Sequence, residues 1–308
     1  MSTLGSRVEE YLAIRRSLGY KLAGYDAALG DFSEWLDTMG ASVITADLAL
    51  AWAQSRSTSS PVRQRQRLTM ARRFAEYMAA IDPRTEIPSA DLLPARYQRA
   101  APYIYSPAEI AALMRAARSL SPPLKAATYE TLIGLLACTG LRFGEAAGLD
   151  CTDVNLVEGS VLVRFGKNGR SRHLPIHPTT AGALTAYAAR RDHLCPNPAT
   201  AGFFVSVQGG RLAHSSVHAV FVTLRRLTGL DRRGHGRLPR VHDLRHTFVV
   251  RTMLAWYRDG VDVQARLPLL STFLGHVDPK ATFWYQNAAP ELLSLAARRL
   301  EVDLGDPQ

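Results

Sequence analysis

The sequence predicts a mainly α-helical protein with one small β-hairpin or sheet, built in two parts. In most of the chain, apolar residues recur at intervals of three and four residues, as on one face of a helix. Only residues 160–177 change to the alternation that is typical of strands. A proline-containing stretch from 83 to 102 has no apolar periodicity, which indicates a linker between the two parts. Apolar residues make up 47% of the 308 positions, enough for a sizeable core.

The first part is predicted to contain four helices. Ser6 and Glu9 have the spacing of a capping box, so they are expected to open the first helix, which stops at Gly19. The second helix is expected to end at Gly40. Its apolar residues are Tyr25, Leu29, Phe32, Trp35, Leu36 and Met39. A shorter third helix is predicted around residues 48–52.

The fourth helix is expected to begin at Pro61, because proline fits the first helical position. Leu68, Ala71, Phe74, Ala75 and Met78 share its apolar face. Arg65 and Arg72 lie on the opposite face. Residues 51–100 are rich in arginine, and the net charge of the chain is +10. Taken alone, this arginine-rich run is explained by a solvated helix face. Beside a second basic domain, the same run favours a DNA clamp.

The second part starts with another capping box at residues 106–109, which has proline at the first helical position. Helices are predicted from there past residue 142. The strand-like stretch 160–177 contains Asn168-Gly169, a dipeptide that favours a tight hairpin turn. Helical periodicity returns after Pro178 and continues to the end.

Six residues in the second part are candidates for one site that cleaves a phosphodiester. They are Arg142 in TGLR, Lys167 in GKNG, His242 and Arg245 in HDLR, His276 in LGH, and Tyr285 nine residues later. Cleavage without a metal needs a nucleophile, cations on the non-bridging oxygens and a proton for the leaving oxygen. Each fragment alone is weak, but their order and spacing together are hard to obtain by chance.

The side chains suit separate roles in that reaction. Tyr285 is the candidate nucleophile, about two turns into a short helix that is expected to open at Asp278. Arg142 and Arg245 offer forked donors for phosphate oxygens, and Glu145 is placed to brace the first of them. Three residues separate His242 from Arg245, so both share a helix face. His242 can then bond the phosphate or accept the tyrosine proton, and His276 is a further phosphate donor.

This combination resembles the tyrosine recombinases, also called the phage integrase family. Residues from about 106 to 300 look like the catalytic domain of that family, and residues 1 to about 95 look like its helical, SAM-like core-binding domain. The expected domains are therefore 1–98 and 99–308. The resemblance implies a site-specific recombinase or integrase that cuts and rejoins DNA through a 3′-phosphotyrosyl intermediate, without metal, ATP or another cofactor.

The resemblance also implies roles for the hairpin and the partners. In the family, the position of Lys167 protonates the departing 5′ oxygen, and the surrounding arginines would lower the pKa of the lysine. The longer segment between Arg245 and Leu274 is similar to recombinases carried by transposon-type elements. The DNA contacts are expected from Arg63, Arg65, Arg67, Arg72, Arg73, Arg164, Arg170 and Arg172. The expected partners are double-stranded DNA and three further copies in a tetramer, alone or with related recombinases of the same element, and no membrane.

The remaining features concern the chain end and the compartment. After Pro290, apolar residues at Leu292, Leu293, Leu295, Ala296 and Leu300 predict a last helix that docks on a neighbouring protomer or packs on its own domain. The three cysteines have no metal-ligand spacing, and the start has no apolar signal region. A reducing, cytoplasmic location with nucleoid association is expected.

Other classes of protein remain as alternatives. One is a DNA-binding protein of the same fold that lacks strand-exchange activity, and another is a type IB topoisomerase, which uses the same chemistry. His242 and His246 also stand four residues apart with the acidic Asp243 between them, a spacing that can chelate zinc in a hydrolase. That hypothesis leaves the other motifs unexplained, and no third ligand has a recognisable spacing.

Overall fold

The computed structural model describes residues 3–22, 24–56, 60–93, 101–164, 171–230, 238–276, 278, 280–288 and 292. The chain divides into two compact units, Met1–Arg99 and Ala100–Gln308. The predicted fold class is confirmed, because helices dominate and the described strands form one small sheet. Across the described parts of the chain, none of the helices combines the length and the apolar run that crossing a bilayer requires.

Among its described residues, the first unit contains four helices around one core. They are α1 (Thr3–Ser17), α2 (Tyr25–Thr38), α3 (Ala46–Gln54) and α4 (Pro61–Ala79). The helix α4 begins as predicted, with Pro61 in its first turn and the Ser60 hydroxyl accepting a bond from the Arg63 amide. The side chains of Leu29, Phe32, Leu36, Trp52 and Phe74 are fully buried and form the centre of the core.

The predicted start of α1 is wrong. The helix already includes Thr3, so Ser6 lies inside it and does not cap it. Leu4 and Val8, one turn apart, are both buried against the core of the unit. Burial of these two side chains on one face of the helix stabilises the earlier start more than a cap at Ser6 would stabilise the later one.

The second unit has eight helices and a three-stranded sheet among the described residues. In chain order they are α5 (Pro107–Arg118), α6 (Pro123–Thr139), α7 (Phe143–Ala147), β1 (Val154–Asn155), β2 (Ser160–Val163), β3 (Arg172–Pro175), α8 (Pro178–Leu194), α9 (His214–Leu227), α10 (His242–Arg258), α11 (Val263–Leu274) and α12 (Lys280–Ala288). The capping box at the start of α5 is confirmed, since Ser106 and Glu109 exchange side-chain and backbone bonds.

The sheet is antiparallel and contains the predicted hairpin. Val161 pairs with Leu174, and Val163 pairs with Arg172, so β2 and β3 lie side by side. The third strand β1, which pairs with β2, was not predicted because it is only two residues long. The turn at Asn168-Gly169 lies outside the described residues, as do all residues from 165 to 170.

Two buried clusters organise the second unit. One joins the sheet with α5, α6, α8 and α9. The other joins α10, α11 and α12 through Val249, Met253, Leu267, Leu274 and Tyr285. The loops after α6 and α11 therefore lie near the start of α10, and they carry the groups described below.

Glycines end the two helices that lead into the site. Gly140 after α6 has φ 62°, and Gly275 after α11 has φ 65°, in the left-handed region that favours glycine. A Cβ at Gly140 would meet the Phe248 ring at 2.5 Å, and one at Gly275 would meet the Arg172 guanidinium at 2.7 Å. The absent side chains leave room for the Phe248 ring beside Gly140 and for the Arg172 guanidinium beside Gly275.

Candidate active site

The first turn of α10 is fixed by Asp243, which is buried. Its carboxylate accepts bonds from the Arg240 backbone amide at 2.7 Å and from the Arg240 guanidinium at 3.0 Å. These bonds satisfy a backbone amide just before the helix and fix the orientation of its first turn. His242 and Arg245 then lie one turn apart on one face, as predicted.

Arg245 is the most enclosed cation of the site, with 2% of the residue exposed. Its guanidinium donates to the Gly140 carbonyl at 2.6 Å and to the Leu274 carbonyl at 2.8 Å. Burial, followed by the charge of Arg142, lowers the pKa of Arg245 to about 10. The group is still cationic at neutral pH, and two of its five N–H donors are used to tie the two glycine-ended loops to α10.

Arg142 directly precedes α7, at its N-cap position, and lies in the same region. Its guanidinium donates to the Glu145 carboxylate at 2.8 Å and to the Gly275 carbonyl at 3.3 Å. The Glu145 carboxylate also accepts the Arg142 backbone amide, at 3.0 Å. The predicted bracing of Arg142 by Glu145 is therefore confirmed.

Arg172, predicted as a DNA contact, binds Glu145 from the other side. Its guanidinium donates to the Glu145 carboxylate at 2.9 Å and to the Phe273 carbonyl at 2.9 Å, and 13% of its side chain is exposed. Burial by itself raises the pKa of the Glu145 carboxyl, but the hydrogen bonds and charges of Arg172 and Arg142 outweigh it and lower the pKa. An ionised Glu145 thus holds two guanidiniums in fixed positions.

A pocket of about 330 Å³ opens beside these groups. Its lining includes Arg142, His242 and Arg240 together with His214 and His218 of α9. The side chain of His242 is open to the pocket, but the surrounding walls, followed by the charges of Arg245 and Arg240, lower its pKa to about 4. A neutral imidazole beside several guanidiniums makes the pocket suitable for an anion such as a phosphate.

Tyr285 lies in α12 with 1% of the residue exposed. Its hydroxyl is 2.7 Å from Nδ1 of His246, one turn beyond His242 on α10. From the sequence, His246 was a candidate only for a metal ligand. Its spacing from His242 was the available signal for a second histidine on the same face.

His276 is held by the helix that carries the tyrosine. Its Nδ1 lies 2.7 Å from the Thr282 hydroxyl, which is itself 2.6 Å from the Ser271 hydroxyl. Thr282 is fully buried and stands one turn before Tyr285. Thr282 was not predicted as part of the site, and only its spacing from the tyrosine pointed to it.

Several predicted site residues lie elsewhere or outside the described chain. Lys167 and Arg170 lie outside the described residues. Arg164 is bound to the buried Asp153 and is half exposed. Of the predicted C-terminal helix, Leu292 alone is described, and it is buried in the α10–α12 cluster of its own chain.

The arginines of α4 have different surroundings. Arg63 and Arg65 are exposed, and Arg72 and Arg73 donate to Glu76 at 3.2 and 3.0 Å. Arg67 is only 13% exposed. It lies 4.0 Å from the Trp52 ring centroid and 3.1 Å from the Asp31 carboxylate, so it contributes to the packing of the first unit.

The described residues contain no group of three histidine, cysteine or acidic side chains that is placed to hold a metal. His246, one of the two ligands in the zinc hypothesis, points Nδ1 at the Tyr285 hydroxyl. Its other ring nitrogen is 3.9 Å from the Asp243 carboxylate.

Comparison with known proteins identifies the family. Residues 105–291 match the phage integrase family, the tyrosine recombinases, and the chain belongs to it. The integrase/recombinase y4rB of Sinorhizobium fredii is 42% identical over 98% of each chain. The tyrosine recombinase XerD of Bradyrhizobium diazoefficiens is 28% identical over 91% of this chain and 89% of the relative. The protein is a tyrosine site-specific recombinase.

A solved structure supports the fold. The Tn1549 transposon integrase in complex with transposon right end DNA superposes with a TM-score of 0.68, covering 99% of this chain and 100% of that one. The two sequences are 16% identical, so the likeness concerns the fold.

Proposed function

We propose that this recombinase cleaves and rejoins DNA through a 3′-phosphotyrosyl bond to Tyr285, without metal or ATP. One observation carries the proposal: α10 presents His242 to a cationic pocket, holds Arg245 between the Gly140 and Leu274 carbonyls, and presents His246 to the tyrosine hydroxyl. One helix therefore supports both the groups that would bind the phosphate and the nucleophile.

The proposed reaction gives each group one role. The scissile phosphate binds between Arg142 and Arg245, which stabilise the charge that develops on its non-bridging oxygens. The Tyr285 oxygen forms a bond to phosphorus, and the bond from phosphorus to the 5′ oxygen breaks. His242 and His276 donate to the phosphate. The 5′ hydroxyl of another strand reverses the step, and the phosphotyrosine retains the bond energy, so no nucleotide cofactor is needed.

A suicide substrate tests this function. DNA from the flanks of the gene, nicked so that the fragment carrying the 5′ hydroxyl diffuses away, should accumulate a protein–DNA adduct that survives denaturing electrophoresis. The adduct should form in EDTA and without nucleotide. Sequence-specific binding without any adduct would support the alternative of a DNA-binding protein that has lost its activity.

We further propose Lys167 as the general acid. Lys167 belongs to the segment that connects β2 to β3. The two ends of that segment are close together, because Val163 at the end of β2 pairs with Arg172 at the start of β3. Arg172 in turn contacts Glu145 of the site. Lys167→Ala should cleave ordinary DNA about 10²–10⁴-fold more slowly, because the 5′ alkoxide then leaves without a proton. Cleavage should recover when sulfur replaces the bridging 5′ oxygen, since a thiolate leaves unaided. Single-turnover cleavage of both substrates is the measurement.

Arg164→Ala is the control for the hairpin, because Arg164 is bound to Asp153 and not to Glu145. This variant should show no difference between the two substrates beyond that of the wild type. If Lys167→Ala is equally slow on oxygen and sulfur substrates, Lys167 positions DNA, or Arg170 or Arg172 is the acid instead.

We also propose that both units bind double-stranded DNA through phosphate contacts. The net charge of +10 and the exposed arginines of α4 support this, as does the DNA in the related transposon integrase complex. The expected contacts remain Arg63, Arg65, Arg72, Arg73, Arg164 and Arg170. Arg67 and Arg172 also remain on the proposed surface, although the first packs on Trp52 and the second on Glu145.

Replacing Arg65 and Arg72 together by alanine should weaken binding to specific and random DNA by the same factor. Each lost phosphate contact should reduce the slope of log affinity against log salt by about 1. Arg7→Ala is the control, because Arg7 is paired with Glu10 on α1. An unchanged salt slope in the double variant would remove these two arginines from the DNA surface.

Recombination between two duplexes breaks four strands, so we propose that four protomers act together on DNA. A head-to-tail contact between identical chains closes into such a ring. The segment that was predicted to link protomers lies outside the described residues except for Leu292. Copies of the same chain, with or without related recombinases, complete the proposed assembly.

A further inference from the structure

We propose that His246 is the group that takes the proton from Tyr285 when the tyrosine attacks DNA. The inference rests on the proposed function and adds a residue that the six-residue motif does not contain. The hydroxyl oxygen of Tyr285, the atom that would bond to phosphorus, lies 2.7 Å from Nδ1 of His246. That distance is within the reach required of a general base.

The two histidines of α10 face different partners. His242 lines the cationic pocket with Arg142 and Arg240. The ring of His246 is perpendicular to that of His242, with centroids 4.7 Å apart, and it contacts the rings of Trp284 and Tyr285. His242 therefore serves the phosphate side of the reaction, and His246 serves the nucleophile side.

Asp243 completes the arrangement. Its carboxylate is 3.9 Å from Nε2 of His246, and both side chains are buried. This separation is too long for a hydrogen bond but short enough for a charge interaction. The imidazolium that forms on proton transfer is thus stabilised by an acid that Arg240 already holds in place.

The proton balance of the step is simple. In the tautomer that carries its hydrogen on Nε2, Nδ1 of His246 accepts the hydroxyl bond. As the tyrosine oxygen bonds to phosphorus, its proton moves to Nδ1 and the 5′ oxygen leaves with a proton from the general acid. In the rejoining step His246 returns the proton to the tyrosine oxygen. No oxidant, metal or co-reactant is required.

His246→Asn separates proton transfer from mere positioning. The asparagine amide oxygen reaches nearly the place of Nδ1, so it can accept the tyrosine hydroxyl bond, but it cannot take the proton. We expect single-turnover cleavage about 10²–10⁴-fold slower than in the wild type, with unchanged DNA affinity and a protein that stays folded at the assay temperature. His246→Gln is the second variant if the first does not fold. His193→Asn, at the exposed end of α8, is the control.

The defect should have two further signatures. It should be equal on the oxygen and sulfur substrates, unlike the defect of Lys167→Ala, because the lost group serves the attacking oxygen. A histidine accepts a proton only in its neutral form, so the wild-type rate should fall on acidification, and the variant should lose this fall. The titratable groups that contact His246 include Asp243, His242 and Tyr285.

His242 is neutral near neutral pH, because its pKa is lowered to about 4. A His246→Asn rate within threefold of the wild type, or an unchanged fall on acidification, would overturn the inference and leave His246 as a packing partner. That outcome is distinct from a failure of the proposed function, in which the wild type itself forms no adduct.

Discussion

Tyr285→Phe should abolish the covalent adduct completely while leaving DNA binding unchanged. The substitution removes the one oxygen that the mechanism uses as nucleophile. The ring, which is 1% exposed and packs on α10 and α11, keeps its volume. The variant also loses the hydroxyl bond to His246, which affects local stability by about 1 kcal/mol. Suicide-substrate cleavage and a binding titration on the same DNA are the two measurements.

Tyr129→Phe is the matched control, because it removes a hydroxyl from another buried tyrosine of the second unit. It should form adduct at the wild-type rate. Covalent adduct from Tyr285→Phe would mean that another residue attacks the phosphate, and the proposed nucleophile would be wrong.

The second large effect is expected from replacing Arg142 or Arg245. Arg142→Ala should cleave about 10²–10³-fold more slowly, because one preorganised donor to the transition state is lost. Arg245→Lys should have a similar effect, since a lysine keeps the charge but cannot donate to both the Gly140 and Leu274 carbonyls and a phosphate. Single-turnover rates and equilibrium affinity are measured separately, and affinity should change only modestly.

The control is Arg251→Ala, on an exposed position of the same helix. It should retain the wild-type rate. A large loss of affinity at an unchanged single-turnover rate would reassign Arg142 or Arg245 to plain phosphate binding.

Much of the fold could be predicted because its signals are local. The start of α4 at Pro61, the capping box at Ser106 and the strand pair 160–163 with 172–175 all depend on neighbouring residues. The shared face of His242 and Arg245 also follows from helical spacing alone.

The contacts that were not predicted join residues far apart in the chain. His246 and Tyr285 are 39 positions apart, and Glu145 and Arg172 are 27 apart. Their meeting depends on how α10 packs on α12 and how the sheet packs beside α7. Apolar periodicity identifies the buried face of each helix but not its neighbour. The early start of α1 has the same origin, because tertiary burial of Leu4 and Val8 outweighs a local cap.

The most direct test of the central claim is the identity of the residue that is bonded to DNA. Wild-type protein trapped on a suicide substrate is digested with nuclease and protease, and the nucleotide-bearing peptide is sequenced by mass spectrometry. We expect the phosphate of the 3′ nucleotide on the oxygen of Tyr285 and on no other residue. A nucleotide on a different side chain, or on a 5′ phosphate, would contradict the proposed mechanism.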